Sequence, residues 1–113
     1  METKPVAQFI ERLRQTGGLK GTDIANFAGV SRATVSRWAN GRKSPHPRTQ
    51  LIMSDLSYVV LRLSEYYNRE EIRAWLYALH PQLDGARAID LIHSERAEEV
   101  VAILDRLDAD AYL

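Results

Sequence analysis

Apolar residues recur along this 113-residue chain at intervals of three and four, and no stretch alternates as a half-buried strand would. Val6, Phe9, Ile10 and Leu13 predict a first helix over 5–15, with Thr3 before it as a cap and Gly17-Gly18 to stop it. Two shorter helices follow within 21–40, where Ile24, Ala28, Val30, Val35 and Trp38 are spaced to close one small core around Ala25. Lys20 makes a poor cap for the first of these, which leaves Thr22 as the expected substitute. From Arg48 to Tyr67 the residues Leu51, Ile52, Leu56, Val59, Val60 and Leu63 predict a helix of up to ~30 Å. Asn68 and Glu71 then form a capping-box-like start for a helix that carries Ile72, Trp75, Leu76 and Leu79 and ends before Pro81. A turn at Asp84-Gly85 and a short helix through Ile89, Leu91 and Ile92 come next. Ser94 reads as the cap of a last helix that buries Val100, Val101, Ile103, Leu104 and Leu107. The expected fold class is all-α: an N-terminal helical domain over 1–47 joined by the long helix to a small C-terminal helical module over 48–113.

The two short helices have the marks of a helix-turn-helix. Such a motif needs a small residue where its helices cross, which Ala25 supplies, and a Gly at the turn, which Gly29 supplies. Ser31 caps the second helix, and Arg32, Ala33, Thr34, Ser36 and Arg37 are left facing outward as short or basic side chains. Those residue types suit a helix that enters a DNA groove, where hydrogen bonds to base edges and phosphates carry recognition. Trp38 falls on the inward face with Val35 and belongs to the core. Beyond it Arg42, Lys43 and Arg48 lie in a connector punctuated by Gly41, Pro45 and Pro47, and are expected to meet phosphates.

Charge sharpens this picture. Fifteen basic and fifteen acidic residues cancel overall, yet residues 1–50 carry nine basic against three acidic groups, a net of +6, and residues 51–113 six against twelve, a net of −6. Between Asp23 and Asp55 there is no acid, so the first half is built to meet a polyanion and the second half something else. Without Cys there are no disulfides or thiolate metal sites, and with no basic-apolar leader or membrane-length apolar run the expected compartment is the cytoplasm. His80 and His93 lack a second ligand at metal spacing, and no phosphate loop or positioned nucleophile appears, so neither a cofactor nor catalysis is expected.

In the second half the order Trp75, His80-Pro81, Leu83-Asp84-Gly85, Ile89-Asp90-Leu91 and a helix ending in a short aromatic tail resembles the toxin-binding domain of the Xre/MbcA/ParS antitoxins. The resemblance implies a protein that binds and blocks a RES-domain toxin, an enzyme that consumes NAD, and that represses its own operon. It also implies that Trp75, Pro81, Leu83, Asp84, Asp90, Tyr112 and Leu113 meet the toxin, with the C-terminal end at the mouth of the toxin's active site. A homodimer is expected, because one recognition helix reads too few base pairs and a two-fold operator needs two copies. The rival reading is a dimeric transcriptional regulator whose second half is a dimerisation or ligand-sensing module.

Overall fold

Pro5 begins the first helix without loss, since the first turn has no intrahelical use for its missing N–H. In the computed structural model, which describes residues 5–111, this helix α1 runs Pro5–Gln15 and is followed by α2 (Gly21–Ala28), α3 (Arg32–Ala39) and the long α4 (Pro47–Leu63). Helix α5 (Arg69–Tyr77) leads into strand β1 (Leu79–His80), a 3₁₀ turn (Pro81–Leu83) and strand β2 (Ala86–Arg87), then α6 (Ala88–His93) and α7 (Ala97–Ala111). Among the described residues the fold is all-α apart from a two-stranded antiparallel ladder that pairs Leu79 with Arg87 and His80 with Ala86. Strands of two residues leave no alternation to read, which is why the sequence pattern did not predict them.

Helix α4 is the axis of the molecule. Its Ile52, Met53, Leu56, Val59, Val60 and Leu63 are all within 1% of full burial, and α1, α6 and α7 pack around them. On its α1 side Gly17 approaches so closely that a Cβ there would stand 2.8 Å from the Leu13 carbonyl oxygen and 3.1 Å from a Val60 methyl. Arg12 of α1 reaches across to donate to the buried Ser57 hydroxyl at 3.1 Å. The core is continuous from Val6 in α1 to Leu104 in α7.

Several local expectations require correction. The long helix stops at Leu63 rather than Tyr67, and Leu51, expected inside, is 49% exposed. Helix α2 is capped by Asp23, whose carboxylate accepts the Lys20 N–H at 2.8 Å, and not by Thr22. Leu79 belongs to β1, not α5, and is 60% exposed. Ser94 ends α6 instead of opening α7: its N–H donates to the Asp90 and Leu91 carbonyls, and Glu95 then turns the chain at φ 61°. The Asn68 capping box forms as expected, with Glu71 N–H to Asn68 and Asn68 N–H to Glu71 both at 2.9 Å. The suggested cap Thr3 lies outside the described residues.

Candidate functional site

Two surfaces collect the residues singled out in the sequence. On the first, Gly29 closes α2 in the left-handed conformation, φ 73°, and its N–H and that of Val30 both return to the Ala25 carbonyl. The chain is thereby aimed into α3, where Ser31 accepts the Thr34 N–H at 3.1 Å. Val35 and Trp38 are buried beneath, Thr34 is half-buried, and Ser31, Arg32, Ala33, Ser36 and Arg37 are exposed on the outer face. The connector leaves that helix on hydrogen bonds from Gly41 to the Trp38 carbonyl and from Arg42 to the Arg37 carbonyl, so exposed Arg42 and Lys43 start from a fixed position.

A depression alongside α3 is lined by Arg32, Ala33, Ser36 and Asn40 and also by Arg14 of α1. Arg14 was not among the sequence candidates, because nothing in the pattern of α1 says that its outer face abuts α3. Arg48 departs from expectation in the opposite sense: it donates to Glu95 at 3.0 Å and to the His93 carbonyl at 2.8 Å, and so is engaged within the chain.

Asp23 is the only acid between Glu11 and Asp55, and it is paired with α5. It is 8% exposed and takes two hydrogen bonds from Arg73 of α5, at 2.9 and 3.2 Å, with the Tyr77 hydroxyl at 3.3 Å. Burial alone would push its carboxyl up, but the Arg73 hydrogen bonds and charge, with the Lys20 N–H, hold it below the ordinary carboxylate value. Burial and the neighbouring carboxylate raise the Tyr77 hydroxyl in turn. A second tie runs from His93 of α6, whose Nδ1–H donates to the Phe27 carbonyl at 2.8 Å while its ring meets the Phe27 ring edge-on. Helix α2, which supports α3, is thus fastened at both ends to the C-terminal helices.

The second surface is built around the hairpin. Half-buried Trp75 packs on the His80 ring with centroids 4.4 Å apart, and His80 Nε2–H donates to the Trp75 carbonyl at 2.7 Å. Pro81 is exposed at the start of the 3₁₀ turn and Asp84 is exposed at its end in the left-handed conformation, φ 56°. Leu83 points inward and is 7% exposed. Asp90 is exposed on α6 and lines a cleft of about 190 Å³ with Asn26, Phe27, Tyr77 and His93. Tyr112 and Leu113 lie outside the described residues. Leu79, at 60% the most exposed large apolar side chain described, stands beside this set and was missed because its spacing from Leu76 read as helical.

Among the described residues no group of His, Asp or Glu side chains is placed to hold a metal ion, and no helix is long and apolar enough to cross a membrane.

Residues 6–74 match the model of a family described as a helix-turn-helix domain. The chain is 26% identical over 102 residues to the mycobacterial cidal antitoxin MbcA of Mycobacterium tuberculosis, covering 90% of this chain and 87% of that protein. It is 30% identical over 96 residues to a probable mycobacterial cidal antitoxin of the same organism, covering 85% of this chain and 82% of the relative. A chain from the crystal structure of the M. tuberculosis MbcT-MbcA toxin-antitoxin complex superposes over the whole of both chains with a TM-score of 0.83 at 18% identity, a likeness of fold.

Proposed function

We propose that this chain, which belongs to the Xre/MbcA-type antitoxins with their helix-turn-helix domain, blocks a RES-domain, NAD-consuming toxin and represses its own operon as a homodimer on operator DNA. An antitoxin acts on a toxin partner, and the relative whose crystal structure shares this fold is titled as a toxin-antitoxin complex. The finer assignments follow the residues. Ser31, Arg32, Ala33, Thr34, Ser36 and Arg37, with Arg42 and Lys43, serve DNA. Trp75, Pro81, Leu83, Asp84 and Asp90, with Tyr112 and Leu113, serve the toxin, Leu83 from beneath by shaping the turn between its exposed neighbours. We keep residues 1–47 and 48–113 as a division of labour between two surfaces. To the first we add Arg14, and to the second Leu79.

The observation that carries the DNA half is the outer face of α3, which has basic and hydroxyl groups and no acid, while Asp23 of neighbouring α2 is held by Arg73. An Arg37→Ala, Lys43→Ala protein should lose affinity for its upstream DNA by tenfold or more yet still suppress NAD loss by the toxin encoded beside it. A Leu79→Asp protein should do the reverse. If both variants lose both activities while folded, the two-surface assignment fails; if the wild type leaves NAD consumption untouched, the RES-toxin assignment fails.

A further inference from the structure

Where α2 meets α5 and α6, the cleft of about 190 Å³ is lined by Asn26, Phe27, Tyr77, Ile89, Asp90 and His93. Its walls are mainly apolar and aromatic: Phe27 and Ile89 are buried, Tyr77 is half-buried, and the His93 ring meets the Phe27 ring edge-on. Asp90 is the one acid among the six, and no Lys or Arg lines the cleft. Its exposed carboxylate takes no hydrogen bond and no ion pair from any described residue. After burial and the Asp23 carboxylate, the Asp90 charge also raises the Tyr77 hydroxyl, so the carboxylate acts on a neighbouring wall of the same cleft. Arg73 stacks over the Tyr77 ring at 4.8 Å, but it is paired with Asp23 and is not part of the lining. Nδ1 of His93 has already given its proton to the Phe27 carbonyl, so the neutral ring has an acceptor and not a donor left at Nε2. An unpartnered carboxylate among aromatic rings favours a cation over a neutral or negative group.

We propose that this cleft seats one arginine side chain of the toxin, its guanidinium against the Asp90 carboxylate and its stem against the apolar walls. The proposal rests on the toxin-binding reading above. It deepens it by naming the group that Asp90 meets and by adding Asn26, which lies on α2 outside the residues assigned to the toxin. The size decides for a single side chain, since a cofactor-sized ligand needs ~300–1,000 Å³. The walls decide for arginine, whose planar and weakly hydrated guanidinium stacks on rings and pairs with a carboxylate through two bonds, whereas a lysine ammonium holds its water. Residues 51–113, with six basic against twelve acidic groups, carry a net charge of −6 that suits a basic partner.

The test begins without the toxin. N-acetyl-arginine methylamide is titrated at constant ionic strength into the isotope-labelled full chain, with the alanine counterpart as the blank. The backbone amide signals of Asn26, Asp90 and His93 should move with a Kd on the order of 10 mM, and Asp90→Asn should abolish the movement. No movement by about 100 mM overturns the proposal. The toxin encoded beside this chain is then bound to folded variants. Asp90→Asn should weaken it by about tenfold, and Asn26→Trp, which fills the cleft, by at least as much. Should Asn26→Trp not fold, Asn26→Lys puts a competing cation beside Asp90 from an exposed position and should give the same loss. Wild-type affinity in Asp90→Asn overturns the proposal. So does an Asp90→Asn loss that neither Asn26 variant shares, because Asp90 then meets the toxin outside the cleft while the toxin reading stands. If the wild type binds no toxin at all, the toxin-binding reading fails and the toxin is the wrong source; movement with the arginine derivative then still supports a guanidinium site, and its absence removes the site as well.

Discussion

Replacing Arg73 with Ala strips Asp23 of its charge partner while leaving the carboxylate where burial holds it, at 8% exposure. For a fully buried pair the loss of one partner costs ~3–5 kcal/mol, because the remaining charge is neither paired nor hydrated. Here the Arg73 side chain is 42% exposed, and Asp23 keeps the Lys20 N–H at 2.8 Å and the Tyr77 hydroxyl at 3.3 Å. Solvent screening and those surviving bonds bring the expected loss down to ~1.5 kcal/mol, or about 6 °C in melting temperature for a chain of this size. The assay is urea denaturation of wild type, Arg73→Ala, Asp23→Asn and the double variant at neutral pH, with a coupling of about 1 kcal/mol expected between the two sites. Acid supplies an independent check. The Asp23 carboxyl titrates lower in the folded protein than its ordinary 3.8, so the pair's contribution is complete above that value and disappears as pH falls through the lower folded value. A loss under ~0.5 kcal/mol for Arg73→Ala, or strict additivity in the cycle, would refute the reasoning, since a solvent-exposed ion pair behaves that way.

Gly17→Ala should cost ~1–3 kcal/mol by chemical denaturation, because the new methyl meets the Leu13 carbonyl oxygen and Val60 at sub-contact distances where α1 leans on α4; a melt equal to wild type would mean that the two helices part freely. Asp55→Asn should raise the melting temperature near neutral pH: burial, then the charges of Glu98 and Glu95, push that carboxyl above 3.8, so its ionised form weakens the fold. The gain should shrink as pH falls toward 3.8 and below, where the wild-type carboxyl is protonated as well, and a gain constant across pH would count against an electrostatic origin.

What was legible in the chain was legible locally. Gly29 and Ser31 bracket a turn of a few residues, Asn68 and Glu71 cap one another across three, and Asp84-Gly85 makes the turn its composition implies. The apolar spacing placed all seven α-helices of the described residues, since each buries one stripe against a common core. The features that escaped depend on distant partners. Asp23 caps α2 and pairs with Arg73 fifty positions away, and Arg48 was spent on Glu95 forty-seven positions on, so neither role can be read from its neighbours. Leu51 and Leu79 had helical spacing but not burial, because spacing says which residues share a face and not whether another element covers it. The same limit hid Arg14, which gains its place only when α1 is laid beside α3.

The hydrogen bond from His93 to the Phe27 carbonyl closes a span of 66 positions, and this bears on how the protein is made. A ribosome adds ~5–20 residues per second, so roughly 3 to 13 s separate the synthesis of α2 from that of the residue that fastens its end. Until Arg73 and His93 emerge, the Asp23 carboxylate has only the Lys20 N–H and water, the Phe27 carbonyl has only water, and the helices around them form without their anchors. A chain that terminates before α5 is left with both loose ends, one clipped between β2 and α6 with that at Phe27 alone, and either is a ready protease substrate. Under the proposed assignments, competence for the operator and for the toxin matures together only once α5 and α6 have been made, and a fragment lacking the second half is a poor occupant of the first half's DNA.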